Sequence, residues 1–246
     1  MAAPLACRDV AGRSLTFLTW NVALLETSAQ APSTWQLHDT EEAIRQRIVA
    51  AAPDLVAFQE LPAMVPYVET HDMVRGNPRS HSGHLATLVT HELMAAEPTV
   101  TTVPGTAILT TLTEPALTIA NVHLVPGRGA GSERLAQLAA VVEASPTEAV
   151  LIVGDTNTRI DEVEAITTAG FHGAKPPRAT WNSRKNRFRS GAPEFSAYFT
   201  RWFAGPGVTV SDVRVLDRPE ERDGARFHLS DHFALTGTVS VSNPEG

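Results

Sequence analysis

Short runs of apolar and β-branched residues recur along the chain, and most are bounded by glycine, proline or small polar residues. Such runs are typical of buried or half-buried strands. The runs between residues 84 and 122 are expected to form a meander. The pattern predicts strands over residues 14–22, 55–58, 84–90, 99–103, 106–112, 116–122, 149–153, 198–203, 208–216 and 233–239.

Two other stretches place apolar residues at helical spacing. Apolar side chains at positions 43, 44, 48 and 51 predict a helix over residues 40–51. Residues 134–142 have the same periodicity, and that helix is expected to begin near Ser132. Because strands outnumber helices, we predict an α/β or α+β fold with antiparallel or mixed sheets. We expect one domain over residues 14–240, a flexible N-terminus at 1–13 and a tail at 241–246.

Polar and ionisable residues stand at the ends of several apolar runs. Each alone has an ordinary explanation, because Asp and Asn form turns and a buried histidine often serves only to hydrogen-bond the core. In sheets whose strand ends meet at one rim, however, these side chains would lie close together. They are Asn21, Glu60, His123, Asp155 with Asn157, and Asp231 with His232.

This set of side chains has the chemistry needed to hydrolyse a phosphodiester. Glu60, with Asp231 or Asn21, can bind Mg²⁺ through oxygen, with Mn²⁺ as an alternative. Asp155 can serve as the base that orients or deprotonates water. Groups that can hydrogen-bond the charge developing on phosphate are His123, His232, Asn21 and Asn157. The chain has no GxSxG nucleophile motif and no GxxxxGK[ST] phosphate loop, which weakens the competing catalytic hypotheses.

Net charge and cysteine content limit the binding partners and the cellular compartment that we expect. The net charge of −7 argues against a protein that coats nucleic acid by non-specific attraction. Between residues 172 and 193, however, six cations occur without an acid, which fits either a solvated loop or a clamp for a polyanion. Cys7 is the only cysteine, and the N-terminus lacks signal-peptide character. We therefore expect a cytoplasmic protein with no membrane partner.

The ordered segments TWN, FQE, VHL, GDTN and SDH, which fall between residues 16 and 238, resemble the endonuclease/exonuclease/phosphatase (DNase I-like) superfamily. The resemblance implies a four-layer α/β/β/α sandwich of two packed mixed sheets flanked by helices. It also implies that Glu60 is the principal Mg²⁺ ligand, with Asn21 and Asp231 beside the metal. Asp155 would direct the attacking water, Asn157 would hold the phosphate, and both His123 and His232 would stabilise the transition state.

Three segments are also similar to the tyrosyl-DNA phosphodiesterase 2 group of that superfamily: HLVPGRGAGSERLAQL, DTNTRIDEVEA and ATWNSRKNRF. This similarity places Arg128, Arg159 and Trp181 at the substrate, with Trp181 stacking on Arg159 or on a nucleobase. Two residues depart from the group's pattern. Thr200 stands where an Asp that orients other site residues is common, and Pro126 stands where a Ser follows the His.

We expect the substrates to be DNA ends or nucleotide esters, and we expect the protein to be a monomer. One alternative keeps the fold but takes a phosphoinositide or another small phosphoester as substrate. Another, motivated by Thr200, is a catalytically degenerate module that binds nucleic acid.

Overall fold

A computed structural model of the chain describes residues 14–63, 66–74, 79–80, 82–191 and 193–242. The predicted flexible N-terminus, including Cys7, lies outside the described residues, as do residues 243–246 of the predicted tail. The helices are α1 (Leu37–Ala51), α2 (His91–Ala95), α3 (Gly131–Glu143) and α4 (Ile160–Thr168), with a 3-10 turn at Ala23–Leu25.

The strands in the described part of the chain are β1 (Leu15–Asn21), β2 (Leu55–Leu61), β3 (His71–Met73), β4 (Arg79–Ser80), β5 (Gly83–Thr90), β6 (Thr99–Val103), β7 (Ala107–Leu112), β8 (Leu117–His123), β9 (Val150–Asp155), β10 (Trp181–Asn182), β11 (Ser196–Ala197), β12 (Thr200–Ala204), β13 (Val208–Leu216), β14 (Glu220–Arg222), β15 (Ala225–Phe227) and β16 (Ala234–Val241).

Two mixed sheets form the centre of the fold. The first has the order β13-β16-β1-β2-β5-β3, with β4 paired to β5, and the second has the order β12-β9-β8-β7-β6. The β1–β2 and β8–β9 pairs are parallel, whereas the other pairs within these two sheets are antiparallel. Each sheet therefore has a parallel pair whose carboxyl ends share one rim.

Side chains point alternately to the two faces of each sheet, so each sheet can pack against a layer on either side. In β1, Leu15 and Phe17 enter the core between the sheets, whereas Leu18 and Trp20 pack in a second core together with Ile44 of α1. A third core joins the outer face of the second sheet to α3 and α4. The order of layers is helix, sheet, sheet, helix, which confirms the predicted sandwich.

Helix α1 begins three residues earlier than predicted, at Leu37 rather than residue 40. The Asp39 carboxylate accepts a hydrogen bond from the Gln36 N–H at 2.8 Å, and this bond fixes the first turn. The meander prediction was right for β6, β7 and β8 but wrong for β5, which pairs with β2 and β3 in the first sheet.

Helix α4 was not predicted, because its inward face hides the usual apolar signal. Glu162, at an inward position, is 5% exposed and forms a buried ion pair with Arg134 of α3. A charged residue thus replaces an apolar one in the helical pattern. None of the helices among the described residues is long and apolar enough to cross a membrane.

Candidate active site

The predicted polar residues gather where the core between the two sheets reaches the surface. Asn21 continues the inward face of β1 beyond Leu15 and Phe17, and Asp155 continues that of β9 beyond Leu151 and Val153. His123 continues the inward face of β8 in the same way, and in the sheet register it lies directly beside Asp155. Strand alternation therefore directs all three side chains into the space between the sheets.

A layer of buried amides separates these residues from the apolar core. Gln59 Nε2 donates to Asn121 Oδ1 at 2.8 Å and to Thr19 Oγ1 at 3.0 Å. Asn121 Nδ2 in turn donates to the Ala86 carbonyl at 2.9 Å, so the second sheet is hydrogen-bonded to the first. Buried polar networks of this kind fix one relative placement of the elements that they join.

Glu60 reaches the site through a bulge in β2. Simple alternation would turn it toward α1, as it does for Val56 and Phe58. The β2–β5 register instead shifts between Phe58 and Leu61, and Glu60 has a φ of +49°. Bulges redirect side chains in this way. The Glu60 carboxylate accepts a hydrogen bond from Ser82 Oγ at 3.1 Å and lies 3.6 Å from His123 Nε2.

Asp155 lies at the centre of the site and is 2% exposed. Its Oδ2 accepts a hydrogen bond from Asn21 Nδ2 at 2.9 Å and lies 3.6 Å from His123 Nε2 and 3.5 Å from His232 Nε2. Its Oδ1 accepts the Asn157 N–H at 3.3 Å. The carboxylate is therefore held in one orientation by contacts from both sheets and from the loop that contains His232.

Gly154 allows β9 to carry Asp155 into this position. Its φ is +143°, and a Cβ atom there would lie 2.1 Å from the Val122 carbonyl oxygen. Because Val122 belongs to the adjacent strand β8, no other residue fits without moving that backbone. The glycine of the GDTN segment is thus required by the close approach of two strands.

Glu60, His123 and Asp155 form a group that fits a divalent cation. One ligand atom from each lies within 4.8 Å of the others. Ser80 Oγ donates to the Gly83 carbonyl at 3.2 Å and lies 3.2 Å from His123 Nδ1, while His123 Nε2 faces the two carboxylates. Carboxylate oxygens suit Mg²⁺, and a set that includes imidazole also suits Mn²⁺.

The two other predicted metal neighbours have different partners in this structure. The Asn21 side-chain oxygen accepts the Ala23 N–H at 3.0 Å, and Asp231 Oδ2 lies 3.3 Å from Arg189 Nε. Asp231 is not part of the cluster of Glu60, His123 and Asp155, and Asn21 contacts that cluster through Asp155. Their roles as metal neighbours stay predictions.

The SDH segment is fixed by buried hydrogen bonds. Ser230 Oγ donates to the Asn21 carbonyl at 2.6 Å and accepts the His232 N–H at 3.1 Å. Thr200, where the resemblance implies a carboxylate, is fully buried, with its Oγ1 3.4 Å from His232 Nδ1. The Thr200 hydroxyl therefore lies beside this ring, at the position where the resemblance implies a carboxylate.

Most of the site residues line a cleft of about 370 Å³, but Asn21, Thr200 and Ser230 are not part of its wall. Asn157, with a φ of +51°, is held by a bond from its Nδ2 to the Leu124 carbonyl at 3.1 Å. Arg128 is exposed and is not part of the cleft wall. The wall includes Glu60, His123, Pro126, Asp155, Asn157, Arg159, Trp181, Asp231 and His232.

Arg159 stacks on Phe199 and so is not the stacking partner of Trp181 in this structure, whereas stacking of Trp181 on a nucleobase stays a prediction. The Arg159 guanidinium carbon lies 4.6 Å from the Phe199 ring centre. Burial, reinforced by the like charge of Arg134, lowers the pKa of Arg159. Trp181 instead packs edge-on against His232, with ring centres 5.0 Å apart, and stacks on Phe195.

The cleft wall also contains residues that were not predicted from the sequence as site residues, namely Ser82, Gly127, Arg189, Phe195 and Phe199. Phe195 is 39% exposed although it is a large apolar residue. Arg189 is one of six cations in the basic stretch, and nothing in the sequence distinguishes it from the other five. Only the fold of the connection between β10 and β11 brings it to the cleft.

A buried arginine supports the other side of the cleft. Arg134 donates to both Glu162 oxygens, at 2.7 and 2.6 Å, and to the carbonyls of Val125 and Gly127. The second carbonyl belongs to a residue of the cleft wall. The ion pair therefore joins α3, α4 and the loop after β8, and α4 begins directly after Arg159.

Comparisons with known proteins agree with this geometry. The model of the Endonuclease/Exonuclease/phosphatase family matches residues 18–232. No curated protein matches the sequence significantly.

Several solved structures share the fold over nearly the whole chain. TDP2 (tyrosyl-DNA phosphodiesterase 2) of D. rerio, crystallised with a single-strand DNA product, is 22% identical, with 92% of this chain and 98% of that chain covered and a TM-score of 0.70. TDP2 from C. elegans is 17% identical, with coverages of 92% and 75% and a TM-score of 0.65.

An endonuclease/exonuclease/phosphatase family protein from Bacteroides thetaiotaomicron is 16% identical, with coverages of 94% and 99% and a TM-score of 0.68. At these identities the structural likeness establishes the fold. Together with the match over residues 18–232, it confirms the resemblance seen in the sequence. The chain belongs to the endonuclease/exonuclease/phosphatase family.

Proposed function

We propose that this protein is a divalent-metal-dependent phosphodiesterase that cleaves its substrate by in-line attack of water. The observation that carries the proposal is the cluster of Glu60, His123 and Asp155, with their ligand atoms within 4.8 Å, beside His232. A hydrolase of phosphodiesters needs a carboxylate that directs water and donors that face the phosphoryl oxygens. The Asp155 carboxylate and the His123 and His232 imidazoles, which support these two roles, line one cleft, and we propose residues 14–240 as the catalytic domain.

Glu60 is the proposed principal metal ligand, with Asn21 and Asp231 beside the metal. When bound, Mg²⁺ or Mn²⁺ would offset the negative charge that develops on the phosphoryl oxygens. Glu60 suits this role because its carboxylate is partly exposed to the cleft and held by Ser82.

Asp155 is the proposed group that orients or deprotonates the attacking water. Its contacts with Asn21 and Asn157 fix the carboxylate, so the water would meet an acceptor whose orientation is already set. His123 and His232 would donate to the phosphoryl oxygens as charge builds up in the transition state. No covalent enzyme intermediate is required.

Arg159, Trp181 and Arg128 are the proposed substrate contacts. Arg159 keeps its charge at neutral pH despite its lowered pKa, because an arginine starts from so high a value. Stacking on Phe199 holds the guanidinium plane at the cleft. Arg128 lies outside the cleft wall and would meet a longer substrate at the rim. Nucleotide esters and DNA ends, including 5′-tyrosyl ends, present the phosphate and the rings that such residues bind.

A substrate panel tests the proposal. Purified protein is incubated with Mg²⁺, with Mn²⁺ or with EDTA on bis-p-nitrophenyl phosphate, thymidine 5′-p-nitrophenyl phosphate, 5′-tyrosyl DNA and inositol phosphates. We expect metal-dependent hydrolysis of the nucleotide esters and abolition by EDTA. Hydrolysis of inositol phosphates alone would move the substrate to that class. Binding of single-stranded DNA with no turnover of any substrate would identify a degenerate binding module.

A further inference from the structure

The basic stretch between residues 172 and 193 contributes one cation to the cleft. Of the six cations, Arg189 lines the cleft wall, and the others do not. Arg178 pairs with Asp217 at 3.0 Å, and Arg187 lies 3.9 Å from Glu194. Of the six cations that the sequence suggested as a clamp for a polyanion, only Arg189 therefore lies at the cleft.

Contacts on both sides of the chain fix the place of Arg189. Asn186 Nδ2 donates to the Ser230 carbonyl at 2.6 Å, and the Phe188 carbonyl accepts the Ala29 N–H at 2.8 Å. The Phe188 side chain is 2% exposed and so anchors the residue that precedes Arg189. The backbone at this point is therefore tied to the SDH segment and to the loop after β1.

The guanidinium itself is held less firmly than its backbone. Arg189 Nε lies 3.3 Å from Asp231 Oδ2, Nη2 lies 3.3 Å from Glu26 Oε2, and the side chain is 50% exposed. The pair with Glu26 is exposed on both sides and contributes little to stability, so another anion can replace Glu26. The planar guanidinium matches phosphate oxygens well, because it offers several donors in a fixed fork.

We infer that Arg189 binds a second phosphate of the substrate, next to the phosphodiester that is cleaved. The inference rests on the proposed function, in which Asp231 stands beside the metal. A cation near Asp231 competes with Arg189 for that carboxylate, and a substrate phosphate gives the guanidinium a new partner. The cleft therefore selects nucleotide esters or DNA strands that carry a further phosphate over simple diesters.

Kinetics on two matched substrates test the inference. They are thymidine 5′-p-nitrophenyl phosphate and the same ester with a 3′-phosphate. We expect Arg189→Met to raise KM for the 3′-phosphorylated ester by about tenfold, as for loss of one charge-assisted hydrogen bond, with kcat nearly unchanged. We therefore expect the ratio of the two KM values, measured at saturating Mg²⁺, to rise by about tenfold, because any effect that Arg189→Met has through Asp231 is common to both esters. Arg187→Met, which removes an exposed cation outside the cleft wall, is the control and should alter neither.

Calorimetry separates failure of this inference from failure of the proposed function. Binding of thymidine 3′,5′-bisphosphate and of thymidine 5′-monophosphate is measured without turnover. We expect the wild type to prefer the bisphosphate and Arg189→Met to lose that preference. If neither ester is hydrolysed, the proposed function fails, and calorimetry still decides the role of Arg189. The inference is wrong, although the hydrolysis stands, if Arg189→Met changes Kd equally for both ligands or KM equally for both esters. It is also wrong if the variant changes none of these values.

Discussion

Asn21 Nδ2 donates a hydrogen bond to Asp155 Oδ2 at 2.9 Å, and this contact joins the carboxyl ends of β1 and β9. The two residues belong to different sheets and are separated by 134 positions in the chain. The bond is buried, and the Asn21 side-chain oxygen is itself engaged by the Ala23 N–H. Asn21 therefore acts at least as a positioning residue for Asp155, whatever its relation to a metal.

Replacing Asp155 with Asn should abolish most of the activity and spare the fold. The substitution keeps the shape of the side chain but removes the charge that directs water, so we expect kcat to fall by about 10²- to 10⁴-fold. The measurement is hydrolysis of a nitrophenyl ester together with the melting temperature. Asp161→Asn, on the exposed first turn of α4, is the matched control. Unchanged turnover in Asp155→Asn would remove this residue from the mechanism.

Replacing Glu60 with Gln should weaken metal binding. We expect the Mg²⁺ concentration for half-maximal activity to rise by about tenfold or more, because a neutral amide replaces an anionic ligand. Independently of turnover, Mg²⁺ or Mn²⁺ should raise the melting temperature of the wild type more than that of the variant. Glu164→Gln, on the exposed side of α4, serves as the control. Equal metal responses in all three proteins would argue against a site at Glu60.

Replacing Thr200 with Val should slow turnover, because the hydroxyl beside His232 Nδ1 is lost while the side-chain volume is kept. One hydrogen bond of about 0.5–1.5 kcal/mol corresponds to a fall in kcat of roughly two- to tenfold. Thr200→Ser retains the hydroxyl and should recover most of the rate. If Thr200→Val and Thr200→Ser have the same kcat, the Thr200 hydroxyl does not position the His232 ring.

Replacing Gly154 with Ala should destabilise the protein, because the added Cβ would lie 2.1 Å from the Val122 carbonyl oxygen. Overpacking together with backbone strain predicts a loss of about 3 kcal/mol, which is roughly 6–12 °C in melting temperature for a chain of this size. Gly129→Ala, where an added Cβ has open space, is the control for thermal denaturation. Equal melting temperatures for the two variants would contradict the packing argument.

Much of the fold could be predicted from the sequence because short-range patterns of apolar and polar residues indicate strands and helices. Strand alternation and helical periodicity located ten of the strands and helices α1 and α3 to within a few residues. Such patterns fail where a charged residue faces inward, as Glu162 does in α4. They also do not fix which strands share a sheet, since the predicted meander was right for β6, β7 and β8 but wrong for β5.

The sequence by itself determined the set of chemical groups and the strand ends at which they stand. Asn21, His123 and Asp155 follow the inward alternation of their strands, so their direction was implicit in the pattern. Only the tertiary structure decided how Glu60 reaches them, because a register shift against β5 redirects its side chain. It also brought Arg189 to Asp231 and Arg159 to Phe199. These contacts arise between distant segments whose approach depends on packing, which no local pattern records.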